Sequence, residues 1–288
     1  MVVPYNPHMG GGSSHGNGSG PDSWSKTGVI AGVVGAIAAV VAILVAVLIA
    51  AGDHDSGAQT ASKAAPASAP NVEADTTPQS GDAGPQCSAA QVAAGWGPER
   101  ERFTLASSAP HPVFNSISDN DVFGNEFDFV SVKDANDTDE GGWCDSIEAA
   151  DGDVLWLRLY VENSASDLLA DDNWEGTGMA LDTRARFEVQ TERSTRVEVT
   201  GFVTSSTTQP MEIWDGIEVI SPDVIRLDPV NGSEILYSNA HGNGIDLNYD
   251  LWSPTGTPLG YEQLDGRMRP GYQYSVYVFA KVRVTAVG

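Results

Sequence analysis

The chain has 288 residues, with 15 Lys+Arg against 39 Asp+Glu, a formal net charge of −24, and two cysteines. That acidity excludes nucleic acid as a default partner, because phosphate binding requires a basic surface, and it excludes tight docking onto anionic lipid headgroups. It suits solubility, divalent cations or basic partners instead.

Taken in chain order, residues 1–26 form a Gly/Ser/His/Pro-rich segment, read as a short cytoplasmic tail. Gly28 to Gly52 is a run of 25 residues without a charge or a strongly polar side chain. As a helix it would span roughly 37 Å, more than the ~30 Å hydrocarbon core of a bilayer. A core helix of a water-soluble fold would carry a polar face. A transmembrane helix is therefore expected over residues 27–52. The run exceeds the length of a signal h-region and lacks a basic n-region, so a retained signal anchor is the better reading than a cleaved leader. Lys26 precedes it, and Asp53 and Asp55 follow. The positive-inside rule then places the amino terminus in the cytoplasm and the remainder outside. Small residues at Gly28/Gly32, Ala31/Gly35 and Gly35/Ala39 have the spacing of close helix pairs, though a segment so rich in Gly and Ala yields such spacings by chance.

Beyond the anchor the chain carries 14 basic and 38 acidic residues. Residues 53–98 read as a disordered Ala/Pro/Ser-rich linker. Up to Gln86 it holds one β-branched aliphatic, Val72, too little apolar surface to offset the entropy of ordering. On a coil scale its first 34 residues hold the folded part roughly 30–35 Å from the membrane.

Residues 99–288 change texture to short β-like runs separated by turns. Glu126–Lys133 alternates like a half-buried strand, and Asp153–Val161 is apolar on both faces like a central one. Arg186–Thr191 and Thr195–Thr200 flank Glu192-Arg-Ser194 as a hairpin. Met211–Ile220, Val224–Leu227, Glu234–Tyr237 and Ile245–Leu251 are further candidates. The longest is Tyr272–Thr285, in which Tyr272, Tyr274, Val276, Val278, Ala280, Val282 and Val284 share a face. A convincing helical period is not found after the anchor, although Ser88–Gly95 has room for two turns. The expected fold is mainly β: an antiparallel β-sandwich, one elaborated or two small.

Particular residues carry a resemblance. Leu157-Arg-Leu-Tyr-Val-Glu-Asn-Ser-Ala165 followed by Gly176–Phe187 resembles the strand–Asn–loop–strand unit of immunoglobulin-like bacterial surface repeats. Pro112–Asn120, Trp214-Asp215, Gly256-Thr-Pro-Leu-Gly-Tyr-Glu-Gln-Leu-Asp-Gly266 and Pro270-Gly271 resemble a group of exported, membrane-anchored actinobacterial surface proteins of unknown function. The resemblance covers about Pro110 to Thr285 and implies an exported immunoglobulin-like β-domain; it implies no catalytic residues. Relatives often carry Cys directly after the Pro-Gly, where this chain has Tyr272.

Cys87 and Cys144 are an even pair in the expected exported domain and read as a disulfide, two unpaired buried thiols being the other reading. Beyond the anchor the histidines are His54, His111 and His241, without HExxH, GxSxG or P-loop patterns. An enzyme is not expected, nor a cofactor. Asp134–Glu140, Asp119-Asn-Asp121, Asp151-Gly-Asp153 and Asp171-Asp-Asn173 offer hard oxygen ligands for calcium, against the plainer reading of solvated acidic turns. No metal ligands are assigned. Trp156 reads as core, while Trp143, Trp174 and Trp252 sit in turn-like contexts as candidate exposed aromatics. The functional expectation is a non-catalytic, single-pass envelope protein acting as a structural or interaction module. Its expected partners are the membrane and a cell-wall or surface protein. The alternatives are a wall-glycan-binding module and, more remotely, a carboxylate-based hydrolase.

Overall fold

The computed structural model describes residues 84–89 and 95–288. The tail, the apolar run with its small-residue spacings, the linker up to residue 83 and most of Ser88–Gly95 lie outside the described residues.

The described chain is mainly β. Its strands are β1 (Gln86–Cys87), β2 (Trp96–Gly97), β3 (Val130–Asp134), β4 (Ser146–Glu148), β5 (Val154–Val161), β6 (Arg184–Val189), β7 (Ser194–Thr204), β8 (Glu212–Pro229), β9 (Ile235–Ser238), β10 (Ile245–Asp246), β11 (Thr257–Pro258) and β12 (Val276–Ala286). Three single-turn 3-10 helices interrupt them at Asp167–Leu169, Tyr249–Trp252 and Tyr272–Tyr274. Pairing is antiparallel except where β4 runs parallel to β8.

The long strands are Val/Ile-rich and alternate, as a pleated surface with one buried face requires. On β12, Val276, Val278, Ala280, Val282 and Val284 are all buried, and on β5 Leu155, Leu157 and Leu159 are. The expected face of β12 is therefore observed, except that Tyr272 and Tyr274 form a helical turn before it. Both faces of β5 are expected to be buried, but Val154, Trp156 and Arg158 on its second face are only half-buried. The Arg186–Thr200 hairpin is observed as β6 and β7. Met211–Ile220 and Val224–Leu227 are one strand, β8, that continues through Ser221-Pro-Asp223. Glu126 lies before β3, and of Ile245–Leu251 only Ile245 and Asp246 are extended.

β8 joins two leaves. Its first half pairs with β7, which pairs with β6 and then β11, while its last residues, Ile225–Pro229, pair with β12. β12 also pairs with β5 and β9, and β5 with β3. Buried side chains from both leaves make one continuous core, with a small satellite of Phe103, Ala109, Val113 and Ile117. Two leaves around a shared core is the arrangement of a β-sandwich.

The sheet starts earlier than expected. β1 and β2 lie within the stretch assigned to the linker, and pair with β4 and β8 respectively. Cys87 of β1 and Cys144 are bonded, with Cα atoms 5.9 Å apart. Cys144 itself exchanges backbone hydrogen bonds with Val132 of β3, N to O at 3.0 Å and O to N at 2.8 Å. The disulfide therefore fastens the start of the described fold to the β3–β4 edge. Because it closes a 57-residue loop, its reduction is expected to lower unfolding free energy by up to about 4 kcal/mol, measured by denaturant titration with and without reductant.

Gly201 marks where the leaves face each other. It sits on the core face of β7 between Val199 and Val203, and a Cβ there would lie 2.6 Å from Val130 Cγ2 and 2.9 Å from Leu159 Cδ1. Gly201→Ala is expected to cost about 1–3 kcal/mol by overpacking. A urea titration showing no loss would mean the leaves can separate without strain.

Candidate functional site

Among the described residues a cleft of about 180 Å³ is lined by Trp174, Tyr261, Glu262, Gln263, Asp265 and Arg267. Two loops build it. The first is organised by Asp171, whose Oδ1 accepts from the backbone N–H groups of Asn173 at 2.9 Å and Glu175 at 3.0 Å. These bonds close a tight turn that holds Trp174 at φ +60°. A left-handed backbone is unusual for a bulky aromatic and costs about 1–3 kcal/mol, so it persists only where the surroundings over-determine it. Here the Arg267 guanidinium donates to the Trp174 carbonyl from the opposite loop.

The second loop is Gly256–Gly266, the most specific stretch of the sequence resemblance. It is positioned by β11, which pairs with β6, and by the buried Leu259. Gly260 allows the chain to double back: a Cβ there would lie 1.9 Å from the Gln263 carbonyl. The turn presents Tyr261, Glu262, Gln263 and Asp265 along one wall. Trp174 and Tyr261 are stacked, centroids 5.8 Å apart at 30°, and Tyr274 packs edge-on against both, at 5.6 Å and 5.1 Å. Arg269 lies 4.8 Å over the Tyr274 ring. Each of the three rings is half-buried. Edge-to-face and offset contacts of this kind fix ring orientation before any ligand arrives.

A second cluster is sealed inside. Glu126 and Glu162 are 0 % and 2 % exposed and share a side-chain hydrogen bond. Asn120 Nδ2 donates to Glu126 Oε1 at 2.6 Å, and Ser164 Oγ donates to Glu162 Oε2 at 2.6 Å. Asn115 locks the backbone beside them, donating to the Tyr160 carbonyl and accepting from the Glu162 N–H, both at 2.8 Å. Burial pushes the Glu126 carboxyl up to about 7 and the Glu162 carboxyl well above its usual range, since two adjacent carboxylates cannot both ionise away from water. Burial does the same to Asp215.

The other expected candidates are placed as follows. Trp156 is not core: it lies on the face of β5 opposite Leu155 and Leu157, half-buried, with Lys281 4.2 Å over its ring. The stretch offers two apolar faces, and the aliphatic one took the core. Trp143 lies beneath Arg158 at 4.4 Å. Trp252 packs on Phe187 and donates its indole N–H to Glu234 at 2.8 Å. Several carboxylates of the acidic turns are used internally. Asp134 caps the Asn136 N–H and Asp137 the Asp139 N–H, each at 2.9 Å. Asp137 also pairs with Lys133 at 3.3 Å. The backbone bond from Asp139 and then Lys133 hold its carboxyl below the usual range. Asp119 accepts from the Leu105 N–H and Asp151 from the Ala286 N–H. Among the described residues no three His, Cys, Asp or Glu side chains converge on a point where they could hold a metal. His111 packs edge-on to Phe103, and His241 Nε2 contacts the Glu262 carbonyl at 2.7 Å. His54 lies outside the described residues.

Sequence reasoning named Trp174 but not its partners. The GTPLGYEQLDG stretch, carried only as a resemblance, held the signal for Tyr261 to Asp265. Glu126 and Glu162 were invisible among 38 acids. The chain matches no known protein-family model, no curated protein and no solved structure.

The buried pair gives a pH prediction. Unfolded, these carboxyls ionise near ~4.3; folded, they keep their protons to about 7 and beyond. From about pH 5 upward the unfolded state therefore binds fewer protons, and stability falls as pH rises through about 7. The melting temperature is expected to be higher at pH 5 than at pH 8. Relief of surface repulsion acts in the same direction, so the decisive comparison is Glu126→Gln. Removing one titrating carboxyl should flatten the stability slope between pH 5 and 7 by about 1.4 kcal/mol per pH unit. An unchanged slope would assign the whole effect to the acidic surface.

Proposed function

We propose that this chain is a non-catalytic, single-pass envelope protein. In this reading its amino terminus is cytoplasmic, and an acidic, immunoglobulin-like β-sandwich is presented outside as an interaction module. The observation that carries the reading is the Cys87–Cys144 bond. Structural disulfides belong to oxidising compartments, so a bonded pair supports export of everything from Cys87 onward, the same side that Lys26 and the apolar run assign.

The hydrolase alternative loses its best-placed carboxyl pair. Glu126 and Glu162 are walled in by Asn120, Tyr160 and Ser164 and present no surface to a glycosidic bond. The glycan-binding alternative gains support from the Trp174–Tyr261 cleft, since stacked rings beside unengaged polar side chains are what a sugar-recognising surface needs.

The topology has a direct test. Protease added to spheroplasts expressing the full chain should digest the β-domain and leave an amino-terminal tag intact. Protection of the domain with loss of the tag would reverse the assignment.

A further inference from the structure

We propose that the Trp174–Tyr261 cleft is a binding site for one neutral pyranose ring of an oligosaccharide. The inference deepens the interaction-module reading and rests on it for where such a glycan would be met. Three features of the cleft select this ligand class.

Size comes first. At about 180 Å³ the cleft falls below the roughly 300–1,000 Å³ of sites for drug-sized molecules, so it admits a single small ring rather than a folded peptide or an extended cofactor. Its chemistry comes second. A pyranose has a C–H face that packs on an aromatic ring and an equatorial rim of hydroxyls that both donate and accept. Trp174 and Tyr261 supply the rings, and Glu262, Gln263, Asp265 and Arg267 stand along the same cleft. The Glu262 and Gln263 side chains make no hydrogen bond within the described residues, whereas Asp134, Asp137 and Asp171 are engaged as caps of their own turns. An amide and a carboxylate left unengaged beside stacked rings form a mixed donor and acceptor wall suited to hydroxyls.

Charge comes third. Glu262 and Asp265 outnumber Arg267, and Arg267 is committed to the Trp174 carbonyl. A uronate or phosphorylated sugar would meet like charge there, so the class is neutral, whether plain hexose or N-acetylated hexosamine. The left-handed backbone at Trp174 fits this assignment. It aims a large ring across the cleft at a cost in stability that the fold does not need, since a glycine would hold the same turn without strain.

Saturation-transfer difference NMR on the full chain in nanodiscs tests the proposal; glycosidic detergents are avoided because their headgroups would compete. The probes are cellotetraose, N-acetylated chitotetraose and tetragalacturonate. Transfer to the ring C–H protons of one or both neutral probes is expected, with the anionic probe at least tenfold weaker. Binding should fall at least tenfold in Trp174→Gly, which removes the ring and keeps the turn. A clear loss is expected in Gln263→Ala, an exposed change that leaves the fold intact and remains informative if the first variant does not fold. Absence of transfer from both neutral probes at millimolar concentration overturns the inference. So does transfer that survives both substitutions, or a preference for the galacturonate. Protease protection of the β-domain in spheroplasts would sink the export reading while leaving this binding result standing. An exported domain that ignores both neutral probes would sink only the cleft.

Discussion

Everything in this fold hangs on the backbone ladder of β12. Residues Val276 to Arg283 pair with β5, Val276 to Phe279 pair also with β9, and Val282 to Ala286 pair with β8. One strand thus supplies hydrogen-bond partners to three others, and its five small apolar side chains line the core against both leaves. A β-branched residue suits this position because it fills a pleated, half-buried surface with little rotamer freedom to lose. The dependence is topological as well as energetic: without β12, β5 is left with β3 alone, and β9 with the two-residue β10.

On the face of that ladder away from the core, a strongly acidic chain deploys some of its few cations in an unusual way. Lys281 and Trp156 are register partners on β12 and β5, and Arg158 and Phe279 are another pair. Lys281 lies over Trp156 and Arg158 over both Trp143 and Phe123; elsewhere in the fold the buried Arg100 lies 4.3 Å over the buried Phe127 ring. Partly desolvated cations on aromatic rings interact more strongly than exposed ones. Burial holds the Arg158 and Arg100 guanidinium groups down to about 10, still charged at neutral pH. Arg100 is further fixed by the Phe114 and Asn115 carbonyls at 3.1 Å and 2.8 Å. The layer covers the sheet with side chains that water can still partly reach, leaving the aliphatic face as the core.

What could be read from the sequence followed the strength of local periodicity. The Val276–Val284 alternation announced β12, because one aliphatic face at period two admits one register. Asp153–Val161 announced β5 as an apolar run, but with both faces apolar it left open which one the core would take. The break that Ser221-Pro-Asp223 suggested in β8 is bridged, since β7 and β12 hold the chain extended on either side. β1 and β2 were lost in low-complexity surroundings: two-residue strands carry no period, and only pairing with β4 and β8 defines them. The buried Glu126–Glu162 pair runs against composition, and its signal is tertiary, residing in Asn115, Asn120 and Ser164 brought together from distant turns. Trp174 was visible as a tryptophan in an acidic turn, but its pairing with Tyr261 joins residues 87 positions apart and no spacing rule reaches that far.

The place of β12 in chain order has a consequence for how the molecule comes into being. Val161 meets Val276 across 115 positions, so the central ladder closes only after almost all of the domain's length is available, and non-local pairing of this kind is slow. The earlier strands do not wait idle: β6, β7 and β8 can pair with one another, and β3 with β5, before β12 exists. What must wait is the union of the two leaves, because the strand that ladders β5 and β9 to the end of β8 is the last in sequence among the twelve described. Late arrival of the keystone thus sets an order of assembly, local hairpins first and the joined sheet last.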